Sequence, residues 1–292
     1  MKIQNILMGM LVAATWVGCG KEDNLVPTPD TLTDCFAPAP DATDEESELR
    51  RQFFKEESSY LLFNDTLRHV AVSVAPNGKT NYETELLDID YTIGNDKDVT
   101  RKVYHYTYLT TMAEKRAAVD LLRKNIIGRL PKKMLPFSWL IVSSMESGGI
   151  DYTAVNGQRA TALAVGDILS LNTDQKRALS DKILAATLSG AMSESSLEAF
   201  YAISGRDYEG YIRNPNKDLI PFYEKGFLVW GMWRGEPDDS TGPTKAADVE
   251  SFIGLLFSKS LSEIETEYAD YPLVVEKAVL MRNILVEIGL KF

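Results

Sequence analysis

Histidine is nearly absent from this chain: 292 residues hold only two, His69 and His105. Cysteine is as scarce, with Cys19 and Cys35 alone. Cationic side chains are in deficit, 31 Lys and Arg against 42 Asp and Glu, for a net charge of −11. Each shortage excludes something. Two histidines on separate segments, with two cysteines near the start, cannot supply the three or four neighbouring N and S ligands that zinc takes. Two cysteines cannot build a disulfide framework. The acidic excess argues against nucleic acid and against direct adhesion to anionic lipid. No phosphate loop, dinucleotide fingerprint or G-x-S-x-G elbow is present, and no internal repeat.

What is there begins at the N-terminus. Lys2 precedes an apolar run through Leu7, Met10, Leu11, Val12 and Ala14, then Trp16, Val17, Gly18 and Cys19. One positive charge, a short apolar core and a small residue before the cut describe a secretory signal over residues 1–18. The run is roughly 15 residues, short of the ~20 that span a bilayer. Val17-Gly18-Cys19 resembles a lipobox, so Cys19 is the expected lipid-attachment site, although Trp16 departs from the usual small aliphatic residue. Lys21, Glu22 and Asp23 follow, and this resembles the surface-export signal of lipoproteins in bacteria that use SusC/SusD transporters. The expected location is the outer membrane, lipid-anchored and facing the cell exterior. Loss of a signal carrying only Lys2 makes the mature chain more acidic still, so membrane attachment falls to the acyl chains.

Residues 19–43 carry Pro27, Pro29, Pro38 and Pro40, which favours extended chain and reads as a spacer. Cys35 falls in it, as an unpaired thiol. The remaining residues, 44–292, suffice for one domain with a sizeable core. Thr43 with Glu46 predicts a capping box for a helix to Glu57. Leu61–Phe63 and His69–Val74 read as short strands, and Asn77-Gly78 as a hairpin turn. Leu86–Ile93 and Val103–Leu109 alternate as strands, and Met112–Ile127 as an amphipathic helix. Phe137–Ser144 is continuously apolar and predicts a buried strand. Ala160–Leu169 is a further strand. Thr173 can cap a helix to Met192, followed by helices over Ser195–Ile203, Ala246–Phe257, Ser260–Tyr268 and Pro272–Gly289. In the last, Val274, Ala278, Met281, Leu285 and Ile288 form one apolar stripe. Strands first and helices afterwards predict an α+β domain, a mixed sheet followed by a helical half.

A resemblance rests on this order together with two phrases: Leu130-Pro131-Lys132-Lys133-Met134-Leu135-Pro136-Phe137-Ser138 before the apolar strand, and Phe200-Tyr201-Ala202-Ile203-Ser204-Gly205 after the long helix. Residues 45–292 resemble the substrate import-associated zinc metallohydrolase lipoproteins, also described as zinc-binding metallopeptidases. The resemblance implies a zincin-like fold, company with SusC/SusD transporters, and an HExxH motif at about residues 184–189. There this chain reads Leu184-Ala185-Ala186-Thr187-Leu188-Ser189. No His, Glu, Asp or Cys occurs, so Leu184, Ala185, Leu188 and Ser189 mark a degenerate metal-site helix. Glu250 falls where the family has an acidic helix and is expected to be a helix-surface or capping charge. Asp88, Asp90, Asn95, Asp96 and Asp98 do not follow EF-hand spacing and read as a solvated acidic turn. No metal, cofactor or catalytic residue is expected.

One aromatic cluster stands out. Tyr208, Tyr211, Trp230, Trp233 and Arg234 can stack on sugar rings or anchor a protein interface, or can simply be core. The reading is a non-catalytic surface lipoprotein, accessory to a SusC/SusD-type importer, contacting the transporter, an oligopeptide or oligosaccharide, or both. The competing reading is a surface hydrolase with a carboxylate site.

Overall fold

The computed structural model describes residues 34–90, 102–214, 218–232 and 239–290. The first half runs α1 (Glu45–Glu57), β1 (Tyr60–Leu62), β2 (Thr66–Val74), β3 (Thr80–Leu86), β4 (His105–Thr107) and α2 (Met112–Leu121). It continues through β5 (Ser138–Val142), β6 (Ser144–Ser147), β7 (Ile150–Asp151), β8 (Ala154–Asn156) and β9 (Thr161–Ala164). The second half holds α3 (Thr173–Ala191), α4 (Glu194–Ser204), β10 (Tyr211–Arg213), α5 (Ile220–Tyr223), β11 (Gly231–Met232) and β12 (Asp239–Thr241). It closes with α6 (Lys245–Ser258), α7 (Leu261–Glu267) and α8 (Pro272–Glu287). The class is mixed α+β, as the order of patterns predicts.

The organising strand is β5. Its sheet has the order β1-β5-β9-β8, parallel between β1, β5 and β9 and antiparallel at β8. All five β5 residues are buried. A strand covered on both faces has no reason to alternate polar with apolar, hence the unbroken run. Alternation instead sorts its side chains between two cores. Trp139 and Ile141 join the large core with Leu61, Leu163 and the helices. Leu140 and Val142 face the smaller core with Phe36, Leu62, Leu87 and Met145. Each such burial stabilises by about 1.5–3 kcal/mol before entropy is counted.

Several boundaries differ from expectation, each for a local reason. Asp44, not Thr43, caps α1, accepting from the Ser47 backbone N–H at 2.9 Å. Packing begins earlier than residue 44: Phe36 is buried, set edge-on to Phe137, and its carbonyl accepts from Arg50 at 2.9 Å. Cys35 packs beside it, half-buried, with its thiol directed at Glu85. The Asn77-Gly78 turn does close a hairpin, Gly78 taking φ +80°; the strand expected over Leu86–Ile93 is instead one that ends at Leu86, residues 87–90 forming no strand and 91–93 lying outside the described residues. The apolar run ends at Val142; Ser144–Ser147 belongs to a different sheet, with β4 and β7. The strand expected over Ala160–Leu169 covers only Thr161–Ala164, where β5 and β8 offer partners. Asn172, not Thr173, caps α3, in a reciprocal capping box with Gln175. Beyond Leu121 the second helix widens to a π turn over Leu122–Ile127, which keeps both Leu122 and Ile126 buried.

In the helical half, α3 lies against α6, and α8 against α4 and α6. The α8 stripe holds for Val274, Ala278, Met281 and Leu285, which are fully buried; Ile288, expected to continue it, is the C-cap and only half-buried, since the helix ends at Glu287. Lys277 lies on the same face and is equally buried.

Alkaline pH should act on this fold through its tyrosines. Burial pushes Tyr108 and Tyr268 up to about 12, and Tyr106 and Tyr208 higher still, from an ordinary value of 10.0. The folded chain therefore keeps protons that the unfolded chain releases, and the stability they contribute is full below pH ~10 and lost as pH rises toward ~12. Lys277, depressed to about 8 from 10.5, works the other way, as one group against four. A spectrophotometric tyrosine titration alongside circular dichroism should show ionisation and unfolding together in that window. Tyrosines ionising near 10 in a chain that stays folded would contradict this.

Candidate functional site: a buried ion pair and the cleft above it

Lys277 projects from α8 toward Asp248 in the first turn of α6. Its Nζ donates to Asp248 Oδ2 at 2.5 Å, and both side chains are wholly buried. Its other donors go to Ser204 Oγ at 3.0 Å and Tyr208 Oη at 3.3 Å. Tyr208 Oη donates in turn to Asp248 Oδ2 at 2.6 Å, and Ser204 Oγ to the Lys225 carbonyl at 2.9 Å. Aromatic rings enclose the ammonium: Phe200 at 4.3 Å, Phe227 at 4.9 Å and Phe252 at 5.0 Å from centroid to Nζ. Such faces attract a cation where water is excluded. Burial still pushes the Lys277 ammonium down to about 8 and the Asp248 carboxyl up, each opposed by the other's charge. Asp248 Oδ1 has no donor among the described residues. A group locked on every side cannot reach a ligand, so this cluster ties α4, α6 and α8 together.

Sequence reasoning missed it. The signal was present: residues 274, 277, 278 and 281 follow i, i+3, i+4, i+7, which places Lys277 at a core position of its helix. A lysine there needs a buried partner, but nothing local names Asp248 as that partner.

The aromatic cluster is divided by the fold. Tyr208 goes to the ion pair, its ring edge-on to Phe227. Tyr211 stands 55% exposed on β10, and Trp230 39% exposed just before β11. Both strands flank β12, where Thr241 is the register partner of both Tyr211 and Gly231. A Cβ on Gly231 would fall 2.4 Å from Thr241 Oγ1, so only glycine permits that approach. Trp233 and Arg234 lie outside the described residues, as does Cys19.

Trp230 forms one wall of an open cleft of about 560 Å³ between α3 and α6. Small residues, Ala178 and Ala185 on α3 with Ala247 and Gly254 on α6, leave the space. Its polar groups are few. Asp181 accepts from Arg129 at 2.6 Å, and that guanidinium lies 4.3 Å over Phe257. Glu250 also lines the cleft; crowding by apolar atoms raises its carboxyl, and it has no partner among the described residues. A concave, mostly apolar cleft with a few polar groups is the usual form of a small-ligand site.

Comparison with protein-family models, curated proteins and solved structures finds no match to this chain.

The zinc that the resemblance implies does not fit. Leu184 and Leu188 are fully buried and Ala185 nearly so. Ser189 Oγ donates to the Ala246 carbonyl at 3.3 Å, fastening α3 to α6. Thr187 adds only a buried hydroxyl. His69 stacks on Tyr82 and bonds Thr84 Oγ1 on the β2–β3 hairpin, and His105 stands opposite Glu146 on β4. Among the described residues no three His, Cys, Asp or Glu side chains converge as a metal set. Of the acidic-turn residues, Asp88 and Asp90 bind backbone N–H groups of Asp90 and Lys102; Asn95, Asp96 and Asp98 lie outside the described residues.

Proposed function

We propose that this chain is a non-catalytic cell-surface lipoprotein, an accessory of a SusC/SusD-type outer-membrane nutrient importer. In this reading Cys19 carries the acyl chains and the domain is a zincin-like fold of the metallohydrolase type. It contacts the transporter, the incoming peptide or glycan, or both. One observation carries the non-catalytic part: the face of α3 on which such an enzyme would place its metal ligands is packed with Leu184, Ala185 and Leu188. Apolar residues there replace a charged cluster that is costly to bury without its metal. The cleft beside it keeps a half-exposed Trp230, suited to stacking on a ring of sugar or side chain. Its second carboxylate, Asp181, is engaged by Arg129, which weighs against a hydrolase using a carboxylate pair.

The test is a pull-down of the acylated protein from outer membranes, with mass spectrometry of what accompanies it. SusC- and SusD-type subunits should be recovered, and Cys19→Ser should release the protein from the membrane fraction. Recovery of wild type in the soluble fraction, or from membranes without transporter subunits, would sink the proposal.

A further inference from the structure

A second cavity, of about 590 Å³, opens at the far end of α6, and its chemistry is the opposite of the first. Four cations line it: Arg129 after the π turn, Arg177 on α3, Lys259 at the α6 C-cap and Arg282 on α8. Among the described residues no carboxylate lines it. In a chain of net charge −11, four cations brought from four separate segments to one concavity are not a sampling of the average surface.

Arg129 and Lys259 are held in place from outside the cavity. Arg129 is fixed by Asp181 and by the ring of Phe257, and Lys259 bonds Glu267. Those contacts fix the positions of two cations and leave guanidinium donors of Arg129 unused. Arg177 makes no ion pair among the described residues. Ser258 and Ser260 add hydroxyls at the rim; Ser258 also lines the apolar cleft, so the two cavities adjoin.

Like charges gathered in a partly enclosed space repel, and a bound anion removes that cost. Guanidinium forks match the paired oxygens of a tetrahedral oxyanion, and an ammonium beside them adds a point charge. We propose that this pocket binds a phosphate or sulfate ester carried on a small soluble ligand. The concave shape favours a compact group over a flat bilayer surface. The inference does not depend on the importer reading, since it rests on charge and shape alone.

The experiment is calorimetric titration of the full mature chain with inorganic phosphate, against chloride at matched ionic strength. Wild type should bind phosphate and not chloride, with affinity falling as salt is raised. Arg177→Gln and Lys259→Gln should each weaken binding about tenfold, the effect of losing one charge-assisted hydrogen bond. Arg177→Lys should lose less, and Trp230→Ala nothing, with all four variants matching wild type in circular dichroism. Equal heats for phosphate and chloride, or an unchanged affinity in folded Arg177→Gln, would overturn the proposal. So would capture by phosphatidylglycerol vesicles without any response to inorganic phosphate, because that places the charge on a membrane.

Discussion

Lys277→Met should destabilise the protein by about 3–5 kcal/mol, because it strands a wholly buried carboxylate. Asp248→Leu should cost a similar amount by stranding the ammonium among Phe200, Phe227 and Phe252. The double variant is the informative one. With both charges gone the site becomes apolar, and replacing a buried pair by packed hydrophobic groups is often neutral or stabilising. The double variant should therefore recover most of the loss, giving a strongly non-additive cycle by urea unfolding. Tyr208→Phe removes the hydrogen bond it donates to Asp248 and the longer one it accepts from Lys277, leaves both charges paired, and should cost about 2 kcal/mol. Additive losses in the double variant would mean that the pair itself supplies net stability, against this account.

The second large effect concerns α3. Leu184→His together with Leu188→His rebuilds a ligand pair at the spacing zinc-binding helices use. Both positions have no solvent exposure and sit in a cluster of apolar side chains. The double variant should lose about 3–5 kcal/mol, combining lost apolar packing with buried unsatisfied nitrogens. Zinc should not restore the loss, since the described residues packed around Leu184 and Leu188 are apolar. Full recovery of stability on adding zinc would show that the helix still faces a preformed metal site.

The parts of the fold legible in the sequence are those in which one element reports its own environment. The run through Trp139, Leu140, Ile141 and Val142 announces a strand buried on both faces, and the α8 stripe announces a helix buried on one. The Asn77-Gly78 turn is likewise self-contained, needing only a glycine that takes positive φ. Harder to read are features that two distant segments decide together. Where β9 stops depends on β5 and β8, and Phe36 is buried because Phe137 and Arg159 meet it, about a hundred residues away. Thr43 and Asp44 are adjacent and both able to cap, so composition alone does not choose between them.

The candidate site divides along the same line. That residues 184–189 lack metal ligands is plain from the residues themselves. That Tyr208 serves a buried ion pair while Trp230 walls a cleft is a property of topology, because β10 and β11 reach opposite sides of β12. The cleft itself arises from alanines and a glycine on two helices 60 or more residues apart, which carry no signal until the helices meet. The basic pocket is hidden for the same reason: none of Arg129, Arg177, Lys259 or Arg282 stands out among 31 cationic residues in one dimension.

A helix faced with leucine and alanine should carry no bound metal ion. Elemental analysis of the protein purified from its native membrane, without chelator and after exchange into metal-free buffer, tests this directly. Far less than one zinc or other transition metal per chain should remain, and added zinc should leave unfolding unchanged. A retained metal at one per chain, with X-ray absorption showing nitrogen or oxygen ligands that disappear when α3 residues are substituted, would contradict it.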